Sequence, residues 1–72
     1  MSLTLKVNGE TRVLDPAPAP ATLAAVVAQL ANNPQLVVAE HNGVIASRSR
    51  WDSILVKDDD TLEIVTIVGG GS

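Results

Sequence analysis

The sequence predicts an α+β fold in which a mixed sheet of four to five strands curls around one main helix. Three features favour this fold: an alternating segment ending in an Asn-Gly turn, a helical stripe after a proline-rich loop, and Val- and Ile-rich segments in the second half. At 72 residues the chain forms one domain, because a core needs most of a chain this short. We assign residues 1–68 to the domain and residues 69–72 to a flexible glycine tail.

The first segment predicts a β-hairpin. Apolar residues alternate with polar ones at Leu3, Leu5 and Val7, which is the period of a strand with one buried face. The pair at residues 8–9, Asn-Gly, tolerates the positive φ angles that a two-residue hairpin turn requires. The chain then returns as an antiparallel strand over residues 10–14.

Two registers fit this hairpin. A strict two-residue turn places Arg12 opposite Leu5 on the buried face, whereas one extra bulged residue places Val13 there and turns Arg12 to water. We expect the bulge, because burial of an unpaired guanidinium would cost free energy.

A stiff loop and then the main helix follow the hairpin. Three prolines at alternate positions within residues 15–21 lack amide donors, so this stretch forms neither helix nor strand. Thr22 is suited to cap the helix. Residues spaced i, i+3, i+4 and i+7 then form one apolar stripe: Leu23, Val26, Val27 and Leu30. The sequence Asn-Asn-Pro at residues 32–34 ends the helix.

The second half predicts two or three further strands. Residues 36–39 form a short apolar run typical of a buried strand. A second Asn-Gly turn at residues 42–43 leads into a short extended segment at residues 44–45. After a polar stretch, an acidic turn at residues 58–60 precedes a last strand that reaches from Leu62 to Val68.

We expect the last strand to be central in the sheet. Parallel pairing with the first strand would place it there, and its Val and Ile content predicts burial on both faces. A hairpin, a helix and further strands in this order form the β-grasp arrangement. The glycine tail then leaves directly from the last strand.

Composition argues against several classes of function. The chain has no cysteine and so no disulfide, thiolate metal site or cysteine nucleophile. Its net charge of -3 repels phosphate backbones, which argues against nucleic acid as a partner. No apolar run approaches the roughly 18 residues that span a membrane, so we expect a cytoplasmic protein without a membrane partner. The serines lie near no evident base, so we assign no catalytic residue.

Plain structural roles are favoured for the remaining polar and aromatic features. The acids at residues 58–60 lack the ligand spacing of a calcium loop, and we predict a solvated turn there. His41 has no second His or Cys to complete a metal site and is expected to be a surface or hydrogen-bonding residue. Trp51, the only aromatic residue, either packs on the domain or anchors a partner; we favour packing, with Arg48 and Arg50 solvated around it.

Several local patterns occur in an order that a known family shares. They are the turn at residues 8–9, the helix that opens at Thr22, the turn at residues 42–43, Arg48 and Trp51 separated by two residues, and an acidic turn, last strand and glycine run that reach Gly71. In this order they resemble the ThiS family of thiamine-biosynthetic sulfur carriers, within the ubiquitin-like superfamily that also contains MoaD-type carriers. The resemblance covers nearly the whole chain.

The resemblance implies a sulfur carrier that is not itself an enzyme. An E1-like, ThiF-type adenylyltransferase would adenylate Gly71 with ATP, and a sulfur donor such as a cysteine desulfurase would supply the sulfur of a thiocarboxylate. A ThiG-type thiazole synthase would then receive this sulfur. Gly69 and Gly70 would be recognised as the tail, Trp51 and Arg48 are candidate partner contacts, and the chain would bind no cofactor or metal.

Ser72 departs from the family pattern, in which the mature chain ends in two glycines. Four explanations are open: Ser72 is trimmed, is an addition to the natural sequence, is tolerated, or blocks the terminus deliberately. The assignment of Gly71 as the sulfur acceptor depends on the removal of Ser72.

Two other functions are compatible with this sequence. A molybdopterin-type carrier would use the same chemistry and deliver sulfur to a different acceptor. A ubiquitin-like interaction module would use its sheet surface and never activate its tail.

Overall fold

The computed structural model describes residues 1–67, which form a five-stranded mixed sheet packed on one α-helix. The elements in chain order are β1 (Leu3–Val7), β2 (Glu10–Leu14), α1 (Leu23–Leu30), a first 3₁₀ turn (Pro34–Leu36), β3 (Val37–His41), β4 (Val44–Ala46), a second 3₁₀ turn (Arg48–Ser53) and β5 (Thr61–Thr66). The strand order is β2-β1-β5-β3-β4, with β1 and β5 parallel and the other neighbours antiparallel. The predicted fold, with its last strand central, is confirmed.

The first hairpin has the strict two-residue turn, so the expected bulge is wrong. Leu5 pairs with Arg12, while Asn8 and Gly9 have φ angles of 52° and 83°. Arg12 therefore lies on the same face as Leu5, yet its side chain is exposed. The reason is the position of β2 at the edge of the sheet, where only its last residue is buried. Water reaches the guanidinium there without a bulge.

The helix α1 begins where the sequence predicts. The Oγ1 of Thr22 accepts a hydrogen bond from the Ala25 amide at 3.1 Å and so caps the first turn. Three residues of the predicted apolar stripe are buried and the last is half-buried, in the order Leu23, Val26, Val27 and Leu30. A backbone hydrogen bond of 2.8 Å from Leu23 to Ile54 ties the start of the helix to the segment that leads into β5.

The core is aliphatic apart from one tryptophan and lies between α1 and one face of the sheet. Every strand contributes to the buried set, which consists of Leu3, Leu5, Val7, Leu14, Leu23, Val26, Val27, Val37, Ala39, Ala46, Trp51, Val56 and Leu62. Within the described residues, no helix is long and apolar enough to cross a membrane.

β5 is buried on one face only, which corrects the expectation of burial on both faces. Leu62 is fully buried and Ile64 is half-buried, whereas Glu63 and Val65 are exposed. The reason is that α1 packs on one side of the sheet, while the side chains of the opposite face, here called the outer face, stay in contact with water. Val68, predicted as the end of this strand, and the predicted tail at residues 69–72 lie outside the described residues.

Candidate functional site

The candidate site is the end of β5, from which the chain continues to the predicted tail. β5 ends at Thr66, and Ile67 is the last residue described. Gly69, Gly70 and Gly71 lie outside the described residues, so their roles in recognition and modification stay predictions. The contacts described below hold the strand that leads to them.

Asn8 extends the pairing of β1 with β5 through its side chain. Its Oδ1 accepts a hydrogen bond from the Ile64 amide at 2.8 Å, and its Nδ2 donates to the Ile64 carbonyl at 3.1 Å. The Asn8 amide also donates to the Leu62 carbonyl at 2.9 Å. A carboxamide offers the same donor and acceptor as a peptide group. Asn8 therefore takes the place of a strand residue beside β5 after β1 has ended.

Asn42 binds the start of β5 on its other edge. The Asn42 amide donates to the Thr61 carbonyl at 2.8 Å, and Oδ1 of Asn42 accepts from the Thr61 amide at 2.9 Å. The two Asn-Gly turns therefore hold the central strand between them. Sequence reasoning identified both as turns but missed these contacts, because the residues they join are 19 to 56 positions apart.

Arg48 supports the segment that pairs with the end of β5. Its Nη2 donates to the carbonyls of Pro34 and Val37, both at 3.0 Å. Between these two residues lies Leu36, whose carbonyl accepts a hydrogen bond from the Ile67 amide at 2.6 Å. Arg48 is exposed, as expected, and its guanidinium also holds the first 3₁₀ turn beside the exit of β5.

Trp51 packs in the core, as the sequence analysis favoured. Its side chain is 5% exposed, and its Nε1 donates to the Ala46 carbonyl at 3.1 Å. The Arg48 guanidinium lies 4.6 Å from the centre of the ring, at cation-π distance. The partner contacts of Trp51 and Arg48 stay a prediction, and the small exposed fraction of Trp51 makes Arg48 the more accessible of the two.

His41 and Asp60 join the end of β3 to the start of β5. Nε2 of His41 and Oδ2 of Asp60 are 2.8 Å apart, and Oδ2 also accepts from the Lys57 amide at 2.9 Å. Burial raises the pKa of Asp60, but hydrogen bonds from His41, Lys57 and Asn42 outweigh burial and hold this pKa below the ordinary value of 3.8. The predicted hydrogen-bonding role of His41 is confirmed.

The acidic turn is mostly exposed, as expected, and it also tethers β1. Oδ1 of Asp58 accepts from the Thr4 amide at 2.9 Å, and the Asp59 amide donates to the Thr4 carbonyl at 2.8 Å. Within residues 1–67, no three His, Cys, Asp or Glu side chains lie close enough together to hold a metal ion.

The outer face carries an apolar strip beside the exit, formed by Val38, Val65 and Ile67. Val38 pairs directly with Val65 across β3 and β5, and Ile67 follows Val65 on the same face by strand alternation. Their side chains are 37%, 61% and 51% exposed. Glu40 and Glu63 form a directly opposed acidic pair next to the strip. An exposed apolar strip bordered by charge is typical of a protein contact surface.

A β-grasp domain with its last strand at the centre of the sheet belongs to the class of ubiquitin-like folds. The chain belongs to the ThiS family, whose sequence profile matches residues 5–71. The fold is similar to that of the thiamine biosynthesis protein ThiS from Geobacter metallireducens. That crystal structure has a TM-score of 0.79 and 28% sequence identity, covering 96% of this chain and 100% of that chain. Family and fold are therefore both those of ThiS proteins.

Curated relatives include two proteins named thiazole synthase. One, from Paramagnetospirillum magneticum, is 36% identical over 70 residues, covering 97% of this chain and 21% of the relative. The other, from Magnetococcus marinus, is 30% identical over 69 residues, covering 96% of this chain and 20% of the relative. An uncharacterized protein, ycf40 of Trieres chinensis, is 46% identical over 39 residues, covering 54% of this chain and 53% of the relative. The chain thus spans between about a fifth and about half of the lengths of these relatives.

Proposed function

We propose that this chain carries sulfur as a C-terminal thiocarboxylate for the synthesis of the thiazole of thiamine. The observation that supports it most strongly is the ThiS-family match, which extends to Gly71. The choice of thiazole synthase as the sulfur acceptor is supported by the two relatives of that name, each of which contains a segment similar to nearly the whole of this chain. A carrier-like segment within the polypeptide of a synthase suits a carrier that delivers its sulfur to that enzyme.

The covalent chemistry belongs to the partners. A carboxylate is a poor electrophile and needs a leaving group before a sulfur nucleophile can attack it. An E1-like, ThiF-type adenylyltransferase would let the Gly71 carboxylate attack the α-phosphate of ATP, which forms an acyl adenylate and releases pyrophosphate. Persulfide sulfur from a cysteine desulfurase would then displace AMP. A thiol would reduce the resulting acyl disulfide to the thiocarboxylate, which donates its sulfur to a ThiG-type thiazole synthase.

The role of this chain in the reaction is to hold its C-terminal end in a defined direction. Asn8 binds both backbone groups of Ile64, and Leu36 binds the Ile67 amide, so the strand before the tail is held on both edges. A fixed exit reduces the conformational search for the partner's active site. Gly69 and Gly70 have no side chains and would fit a narrow channel in the partner.

Ser72 has to be removed before this chemistry can start. The family match ends at Gly71 and leaves Ser72 outside it. We therefore include in the proposal that the active form of the chain ends at Gly71, because the carboxylate of this glycine is free for adenylation only when no residue follows it.

Intact-mass spectrometry tests the proposal. The chain ending at Gly71 is incubated with a ThiF-type adenylyltransferase, ATP, a cysteine desulfurase, cysteine and a thiol, and it should gain the mass of one oxygen replaced by sulfur. The full chain ending at Ser72 is the matched control and should not be converted. An unchanged mass of the Gly71 chain, while a known ThiS protein is converted in parallel, would refute the carrier function.

The acceptor is tested with the charged chain. Addition of thiazole synthase and its small-molecule substrates should return the carrier to the carboxylate mass, whereas the large subunit of molybdopterin synthase should leave the thiocarboxylate intact. The opposite result would assign the chain to molybdopterin synthesis. Activity that survives deletion of residues 70–72 would instead favour an interaction module.

A further inference from the structure

The two edges of β5 are unequally covered near its end. On the β3 side, pairing includes Thr66 and continues with the hydrogen bond from the Ile67 amide to the Leu36 carbonyl. On the β1 side, strand pairing has ended, and the Asn8 carboxamide continues it only as far as Ile64. The β1 side is therefore the edge on which β5 loses its neighbour first.

The backbone groups of β5 alternate between its two edges. Thr61 and Ile67 bond towards β3, while Leu62 and Ile64 bond towards β1 and Asn8. Thr66 comes two residues after Ile64, so its N–H and C=O point to the same edge as those of Ile64. Among the described residues, no strand lies beside Thr66 on that edge. Within residues 1–67, the Thr66 peptide group therefore has no strand partner on that edge.

We propose that an extended segment of the activating partner pairs with β5 at Thr66 and adds a strand beside the exit of the tail. The inference rests on the proposed function, because it describes how the adenylyltransferase holds the chain whose terminus it activates. An open strand edge binds another backbone through main-chain hydrogen bonds. Such pairing would align β5 with the path to the partner's active site.

The neighbouring side chains define the chemistry of this segment. The Asn8 carboxamide already binds β5 as a strand residue would, so the position beside β5 suits main-chain pairing. Val65 and Ile67 flank Thr66 on the outer face and are 61% and 51% exposed, so they offer apolar contacts to alternate side chains of an added strand. Glu63 lies on the same face and favours a basic residue in the segment. The occupant is therefore an extended segment with alternating apolar residues and at least one Lys or Arg.

Two substitutions in the chain ending at Gly71 test the pairing by isothermal titration with a ThiF-type adenylyltransferase. Thr66→Pro removes the N–H that points to the open edge. Because this N–H does not bond to β3, the sheet should persist, as circular dichroism can verify. Affinity should fall about tenfold, the effect of a lost hydrogen bond at an interface. Thr66→Ala keeps both backbone groups and should bind like the wild-type chain.

A second measurement needs no substitution. Hydrogen exchange of the Thr66 amide in the wild-type chain, followed by NMR, should slow about tenfold or more when the adenylyltransferase is added. Unchanged exchange in the complex overturns the pairing, as does wild-type affinity of folded Thr66→Pro. Equal loss of affinity in both variants would assign the effect to the threonine side chain and would also overturn it.

The remaining outcomes separate this inference from the proposed function. Absence of binding by the unsubstituted chain ending at Gly71 would overturn the proposed activation itself, whereas binding without protection at Thr66 overturns only the added strand. If protection of the Thr66 amide from exchange increases with chain concentration in the absence of the enzyme, the edge binds a second copy of the chain. This result would overturn the choice of occupant.

Discussion

Asparagine has two roles at each hairpin turn of this chain. Asn8 and Asn42 both have φ angles of 52°, in the left-handed region where asparagine is among the least strained non-glycine residues. Each also directs its carboxamide oxygen at a backbone amide of β5, at Ile64 and Thr61 respectively. The same residue type therefore shapes the turn and holds the central strand.

Substitution of Asn8 measures the second role. Asn8→Ala should lower the free energy of unfolding by about 1 to 3 kcal/mol, since it removes two hydrogen bonds with Ile64, each worth roughly 0.5–1.5 kcal/mol, and adds strain at positive φ. Urea unfolding followed by circular dichroism gives the value. Asn8→Gly is the matched control, because it removes the carboxamide but tolerates the φ angle and should lose less. Wild-type stability of both variants would show that the carboxamide does not hold β5.

Asp60 makes stability depend on pH in the acid range. Its pKa in the folded chain is lowered below 3.8, and a carboxyl of this kind contributes its full stabilisation above its unfolded pKa and loses it as pH falls through the folded value. Asp60→Asn should therefore be less stable than wild type at about pH 5, and the difference should shrink towards about pH 2. Urea unfolding at several pH values measures this convergence.

The control for this experiment is Asp52→Asn. Asp52 is an exposed carboxylate on the second 3₁₀ turn, so its substitution changes the net charge equally without breaking the contact between His41 and Asp60. A stability difference between Asp60→Asn and wild type that stays constant from pH 5 to pH 2 would contradict the assignment.

At the scale of elements, the start of α1 depends on a local contact that sequence can predict. Thr22→Ala should destabilise the chain by about 1 kcal/mol, because the Oγ1 that accepts from the Ala25 amide is lost. Thr22→Ser keeps this oxygen and should lose at most about half as much stability as Thr22→Ala. Thermal unfolding at fixed pH compares the variants. Equal melting temperatures for wild type and Thr22→Ala would show that the cap is dispensable.

The strands show where element-level patterns mislead. β5 carries Ile64 and Val65 side by side, yet Val65 is 61% exposed, since only one face of the sheet is covered by α1. Leu30 and Ile64 fit the predicted stripe and strand but are half-buried. Their replacement by alanine should therefore cost less than that of a fully buried residue such as Leu62.

At the scale of the whole molecule, one small core supports all the elements. A chain of this size is stable by roughly 5 kcal/mol. Leu62→Ala should cost about 2 to 5 kcal/mol, because Leu62 is 0% exposed in the central strand, and it should leave a large unfolded population at 25 °C. Val65→Ala, on the outer face of the same strand, should change stability by only about 0.5 kcal/mol. Urea unfolding of the two variants compares the two faces of β5 directly. Equal losses of stability would contradict the observed burial.

Local sequence patterns were enough to predict the fold class, the order of the elements and the cap at Thr22, and they favoured packing for Trp51. These follow from local periodicity, turn chemistry and residue size, which act over a few neighbouring positions. The likeness to the ThiS family also followed from the order of these patterns, and the family match over residues 5–71 bears it out.

The hairpin register, the single buried face of β5 and the contacts that hold its end depend on how the elements pack in three dimensions. The exposure of Arg12 depends on β2 being an edge strand, and the bonds of Asn8 to Ile64 join residues 56 positions apart. The support of the first 3₁₀ turn by Arg48 is likewise a contact between distant backbone and side-chain groups. Such facts depend on which elements become neighbours in space, and local residue patterns do not encode that arrangement.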